Sequence, residues 1–140
     1  VYMNEGNQNP FHKAEEILSK VESDIFICDF HGEATSEKKA FGLYFDGRIH
    51  IIYGTHTHVQ TNDQHILPKG SFFQTDLGMT GSLDGVIGVE EQPVIHQYLT
   101  GEHIRHIPKV TGRKQLNAAM VEINEKTHKV TKYTTINIVQ

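Results

Sequence analysis

The sequence predicts an α/β fold, and three observations carry that reading. Residues 24–30 and 48–53 are short runs rich in Ile, Phe and Tyr, set either side of a helical pattern. A strand, a helix and a strand in that order make a crossover whose two strands run parallel in one sheet. The tail from Leu116 to Val139 is β-branched and partly alternating instead, the pattern of an antiparallel hairpin.

The first element is a helix over about residues 10 to 22. Asn9 caps it, Pro10 fills its first position, and Phe11, Ala14, Ile17, Leu18 and Val21 recur on one face. The run Asp24 to Phe30 follows, and its near-continuous apolar residues predict a central strand covered on both faces. Beyond the loop His31-Gly32-Glu33-Ala34, Thr35 or Ser36 caps a second helix through about Phe45, with Ala40, Phe41 and Tyr44 inward and Gly47 ending it. Arg48 to Tyr53 is the second strand, so both strands end on the same sheet edge. Gly70 to Thr75 reads as a third strand, and a Gly-rich loop (residues 77–82) follows it. Residues 90 to 100 suit a helix that Pro93 restricts to its first turn or delays. The tail pairs 116–124 with 130–139 through Glu125-Lys126-Thr127-His128-Lys129. With no repeat and no linker, residues 1–140 are expected to form a single unit.

Composition excludes several function classes. The 140 residues are 37% hydrophobic and 21% charged, enough for a folded core, and the formal charge of −4 comes without any block of basic residues. General nucleic-acid binding is therefore not expected. No apolar run approaches the roughly 18 residues of a membrane span, and the start lacks the layout of a signal peptide. Cys28 is the only cysteine, within an apolar run, so it reads as a buried, inert thiol and implies a reducing, cytoplasmic setting. The chain opens at Val1, inside the extended-looking Val1-Tyr2-Met3, which reads as a cut end.

The ten histidines are the anomaly, and three of them fall at one place. The first strand delivers His31 to its carboxy end and the second delivers His56 and His58, on the edge where open α/β sheets hold their ligands. Adjacent strands lie about 4.8 Å apart, close enough for side chains at their ends to share one ion. In an extended His-x-His segment, alternate residues project to the same side, and Gly54 supplies freedom for a turn. His31, His56 and His58 are thus candidate metal ligands. Asp29, Glu33 and Asp76 flank them as orienting acceptors, although Glu33 equally suits a helix start. Thr57 lies within the His-x-His loop. Thr80 and its neighbouring glycines could aim backbone N–H groups at a phosphate, though such a loop is more often only a turn. The other seven histidines read as structural or surface residues.

Three stretches in order, Asp29-Phe30-His31-Gly32-Glu33-Ala34-Thr35-Ser36-Glu37-Lys38, Gly54-Thr55-His56-Thr57-His58-Val59-Gln60-Thr61 and Thr75-Asp76-Leu77-Gly78-Met79-Thr80-Gly81, closely resemble the YmdB-like family of calcineurin-type metallophosphoesterases. The likeness runs the length of the chain but covers only the carboxy-terminal half of the family pattern. It implies half of a four-layer α/β/β/α metallophosphoesterase sandwich, with the hairpin at its end. It also implies hydrolysis of phosphodiesters such as 2',3'-cyclic nucleotides. The resemblance places His31 and His56 on one metal and His58 on a second, the metals being iron or manganese, divalent or mixed-valence, with zinc as an alternative. The bridging carboxylate and the proton donor would come from an amino-terminal half, so no catalytic acid is expected in this chain. The expected partners are a small phosphodiester and that amino-terminal half, or other copies in a homo-oligomer. Two rivals stand beside this reading: a single-metal hydrolase using all three histidines, and a silent module in which they bind metal only for structure or assembly.

Overall fold

Phe11 donates its backbone N–H to the Asn9 side chain at 2.9 Å, and with Pro10 in the first position this starts helix α1 (Pro10–Lys20). In the computed structural model, which describes residues 8–140, α1 ends two residues early because Val21 is already extended. Val1-Tyr2-Met3 lies outside the described residues. Strand β1 (Ile27–His31), helix α2 (Thr35–Phe45) and strand β2 (Ile51–Thr55) then form the expected crossover, with β1 and β2 parallel.

The first sheet is completed by β3 (His65–Ile66) and β4 (Phe72–Gln74), in the order β1-β2-β4-β3. β4 is parallel to β2, and β3 is antiparallel to β4. Register aligns Cys28, Ile52 and Phe73 on one face and Ile27, Ile51 and Phe72 on the other. The first face meets the helices. Phe41, Phe45, Ile49, Ile52, Leu67 and Phe73 form its buried core, with Phe11, Ala14, Leu18, Phe26, Cys28 and Phe30 packed around them. Each such phenylalanine contributes about 1.5–3 kcal/mol by leaving water.

The other face meets a second sheet. Strands β5 (Gly81–Ser82), β6 (Lys114–Ile123) and β7 (Val130–Val139) are antiparallel in that order. Phe72 and Tyr133 pack ring to ring at 5.4 Å between the sheets, and the Gln60 amide donates to the carbonyls of Ala118 and Ile136, both at 3.2 Å. Helix α3 (Glu91–Thr100) carries Pro93 in its first turn and ends at Gly101, φ +77°. The described residues form a mixed α/β fold in which α1 and α2 cover one sheet and a second sheet packs on its other face. Among the described residues, no helix is long and apolar enough to cross a membrane.

Three expectations are corrected. β1 is an edge strand of the described sheet rather than a central one, and Ile27 is 61% exposed, so its second face is uncovered here. The inward face of α2 is Lys38, Phe41, Gly42 and Phe45 instead of Ala40, Phe41 and Tyr44. Gly42 sets that phase: a Cβ there would lie 2.4 Å from the Phe73 ring, so the helix rests its glycine on β4. Its N-cap is Ala34, without a side-chain bond, in place of Thr35 or Ser36.

Cys28 is half-buried rather than fully buried, and burial, aided by the nearby Asp29 charge, pushes its thiol up to about 11. A thiolate fraction roughly a hundredfold below that of a free cysteine follows at pH 8. Iodoacetamide at that pH is expected to label Cys28 about two orders of magnitude more slowly than glutathione, read by mass spectrometry. Labelling at the glutathione rate would refute the burial argument.

Candidate metal centre

The parallel strands β1 and β2 end side by side at His31 and Thr55, which are paired in register. Asp29, two residues back on the same face of β1, accepts the Thr55 hydroxyl proton at 2.7 Å. With that single proton committed, Thr55 Oγ1 acts as acceptor towards His31 Nδ1, 3.0 Å away. The His31 proton therefore sits on Nδ1, and Nε2 is left with its lone pair facing outward. A carboxylate acting through an orienting group on an imidazole is the arrangement that fixes metal-binding histidines.

His56 Nδ1 lies 3.2 Å from that Nε2, and the two rings meet edge to face with centroids 5.0 Å apart. Two imidazole nitrogens at this distance need a proton or a metal ion between them. Nitrogens bound at about 2.0–2.1 Å to one ion, at octahedral to tetrahedral angles, lie roughly 2.9–3.4 Å apart, so the pair fits one shared first-row ion. Glu33 Oε2 stands 2.7 Å from the other ring nitrogen of His56. The pair still needs further ligands, because among the described residues no group of three or more His, Cys, Asp or Glu side chains could hold a metal.

His58 does not join the pair. Its Nδ1 is 2.8 Å from the Ile87 carbonyl, and it faces a different cavity. The reason is backbone: His56 has φ +139° and His58 φ +63°, so the segment turns instead of running extended, and the two side chains diverge. The same-side projection expected of an extended His-x-His segment is thus overturned. A non-glycine residue at φ +139° stores strain, typically about 1–3 kcal/mol, and such strain concentrates at functional sites.

A buried ion pair holds the turn; Asp76 is a site residue that the sequence points to, and Lys38 is not. Asp76, fully buried at the end of β4, accepts the Thr57 N–H at 2.9 Å through one carboxylate oxygen and the Gly78 N–H at 2.9 Å through the other. Lys38, 2% exposed, reaches from α2 to the same carboxylate at 3.3 Å and to the Thr55 carbonyl at 3.0 Å. Burial by itself would raise the Asp76 carboxyl; the amides and Lys38 outweigh it and hold it below the ordinary carboxylate range. The signal for Lys38 is its place as the first residue of the stripe 38, 41, 42, 45, an ammonium on an otherwise apolar helix face. Thr80 is exposed on its loop.

Gly54 serves the site differently from the turn expected of it. It is a regular β2 residue, but a Cβ there would lie 1.8 Å from the Thr75 carbonyl and 2.9 Å from Lys38 Nζ. Only glycine lets Lys38 pass beneath the strand. Gly54→Ala is expected to destabilise by about 3 kcal/mol, the upper end of overpacking, because the obstructing atom is backbone. Thermal unfolding checks it, and a change under about 1 kcal/mol would show that β2 and β4 separate easily.

Relatives carry the same arrangement of chain. A crystal structure of a novel phosphatase from Mycoplasma pneumoniae superposes with TM-score 0.92 at 39% identity, over 99% of this chain and 50% of that one. A hypothetical protein from Thermus thermophilus superposes with TM-score 0.91 at 31% identity, over 98% of this chain and 53% of that one. A 2',3'-cyclic-nucleotide 2'-phosphodiesterase of Bacillus subtilis is 43% identical over 126 residues, 89% of this chain and 47% of its own length. The chain thus spans about half the length of these relatives. With a family model described as YmdB-like protein matching residues 1–136, and with the fold shared by these relatives, this chain is a member of the YmdB-like family.

Proposed function

We propose that this chain is the carboxy-terminal half of a metal-dependent phosphodiesterase acting on 2',3'-cyclic nucleotides, with residues 1–140 folded as one unit. The observation that carries it is the His31–His56 nitrogen pair, 3.2 Å apart and oriented through Thr55 and Asp29 at the end of two parallel strands. The phosphodiesterase named among the relatives supplies the reaction class. His31 and His56 would hold one ion and His58 a second, iron or manganese before zinc, since neutral imidazoles suit first-row transition metals. Two bound cations would make hydroxide available near neutral pH and neutralise phosphate oxygens during in-line attack. The chain's own residues do the positioning. Thr55 and Asp29 orient His31, Asp76 and Lys38 hold the turn that carries His56 and His58, and Thr57 links the turn to Asp76.

An amino-terminal half completes the site and the fold. The two donors need further ligands, and among the described residues three surfaces want cover: the edge of β1, exposed Ile27, and the outer face of the hairpin, where Leu116, Met120 and Ile138 are 41%, 51% and 47% exposed. Supplying a helical layer there would make a four-layer α/β/β/α sandwich. Other copies of the chain are the alternative cover. A reducing, cytoplasmic setting agrees with the lone, unreactive Cys28. The single-metal reading is weaker, because His58 is turned away from His31 and His56.

The test is elemental analysis of the two-half protein, combined with ³¹P NMR of 2',3'-cyclic AMP turnover. Two transition-metal atoms per polypeptide and opening of the cyclic diester are expected. One metal with turnover would favour the single-metal hydrolase, and metal without turnover the silent module.

A further inference from the structure

His58 forms one wall of a cavity of about 300 Å³ between the His-x-His turn, the loop after β5 and the inner face of the hairpin. Its lining holds no Asp, Glu, Lys or Arg. Apolar Leu83 and Ile87 share it with the amides of Gln115, Asn117 and Asn137. Away from His58 the lining offers a ligand no charge, whereas a flat, neutral, hydrogen-bonding ring gains both stacking area and partners there.

The amide orientations sharpen this. Asn117 donates from Nδ2 to the Met79 carbonyl at 2.9 Å, and a carbonyl only accepts, so the Asn117 oxygen is fixed on its other side. That oxygen accepts from Asn137 Nδ2 at 2.6 Å. Asn137 lines the cavity, and its Oδ1 has no hydrogen-bond partner among the described residues. Among the described residues, nothing hydrogen-bonds the Gln115 amide, which offers a donor and an acceptor together.

We infer that this cavity receives the nucleobase of the substrate, with Gln115 pairing its edge and Asn137 Oδ1 accepting from an exocyclic amino group. The inference rests on the phosphodiesterase reading and adds its specificity: bases bearing an amino group, adenine, cytosine and guanine, are preferred over uracil. Asn137 is exposed in the free protein, so a bound ring displaces water from its oxygen, and a ring without an N–H at that point leaves the acceptor unpaired in the complex.

Two measurements on the two-half protein decide it. Side-chain amide NMR signals of Gln115 and Asn137 are followed with adenosine, uridine and ribose, none of which carries phosphate. Saturable shifts with adenosine, weaker ones with uridine and none with ribose are expected; no shift with adenosine overturns the inference. Second, kcat/KM for 2',3'-cyclic AMP is divided by that for bis(p-nitrophenyl) phosphate, a diester without a base. In Gln115→Ala and Asn137→Ala this ratio is expected to fall tenfold or more. An unchanged ratio, whether both rates fall together or neither does, overturns the inference. If the wild-type protein hydrolyses neither diester, the phosphodiesterase reading fails by itself, and the adenosine titration still decides what the cavity binds.

Discussion

His56→Ala in the two-half protein is expected to lower kcat/KM for 2',3'-cyclic AMP by at least about a thousandfold, roughly 4 kcal/mol of transition-state stabilisation. The proposed ligand atom is lost, and His31 Nε2 is left facing an empty position. Metal content should fall with activity. Thr55→Val separates ligation from orientation. It keeps both imidazoles but takes away the acceptor for His31 Nδ1, so the ring can exchange tautomers. The expected cost is about 10–100-fold in metal affinity, as for other groups that orient a metal-bound histidine. His56→Gly makes the argument independent of activity. Glycine tolerates φ +139° and alanine does not, so the Gly variant should be more stable than the Ala variant by about 1 kcal/mol or more, although both are inactive. Equal stabilities would mean that the turn stores no strain. Retained turnover in His56→Ala would remove this histidine from the chemistry.

How the site was legible follows from the same residues. The crossover could be read because its strands are continuous apolar runs with a helical period between them, and parallel strands must end at one edge. That alone places His31 beside Thr55 and His56. What could not be read was the path of the chain past Thr55. A period of two describes an extended segment only, and the positive φ of His56 and His58 is imposed by Asp76 and Lys38, residues 20 and 18 positions away from them in sequence. The misjudged face of α2 has the same root. Lysine is almost never fully buried without a partner, so a stripe beginning at Lys38 is discounted until its carboxylate is found in another element. The short β3 and β5 carry two residues each, too few for any periodic signal. The near-continuous apolarity of β1 was read as cover on both faces, whereas among the described residues Ile27 on its second face is 61% exposed.

Asp76→Asn is expected to cost about 3–5 kcal/mol, because Lys38 would be left charged, buried and without its counter-ion. In a protein of this size that lowers Tm by roughly 10–20 °C. The amide keeps one acceptor oxygen for two backbone donors, so its nitrogen faces the N–H of either Thr57 or Gly78, and the loss has a hydrogen-bonding share that the ion pair does not explain. Lys38→Met in the same background apportions the two: removing the stranded ammonium should recover more than about 1 kcal/mol, while the clash between the amide nitrogen and a backbone N–H persists. The acid limb gives a second reading. A carboxyl held below its unfolded value near 3.9 stabilises the fold fully above that pH, and the contribution disappears as pH falls through the lower folded value. Wild-type stability should therefore drop below about pH 4 more steeply than that of the Asp76→Asn/Lys38→Met variant. Parallel acid limbs would mean that Asp76 does not titrate with folding. The functional consequence is local, since Thr57 lies between the two proposed ligands. The doubly substituted protein, even where it regains stability, should bind metal more weakly than wild type, because the turn that separates His56 from His58 has lost one of two carboxylate acceptors and the Lys38 bond to the Thr55 carbonyl.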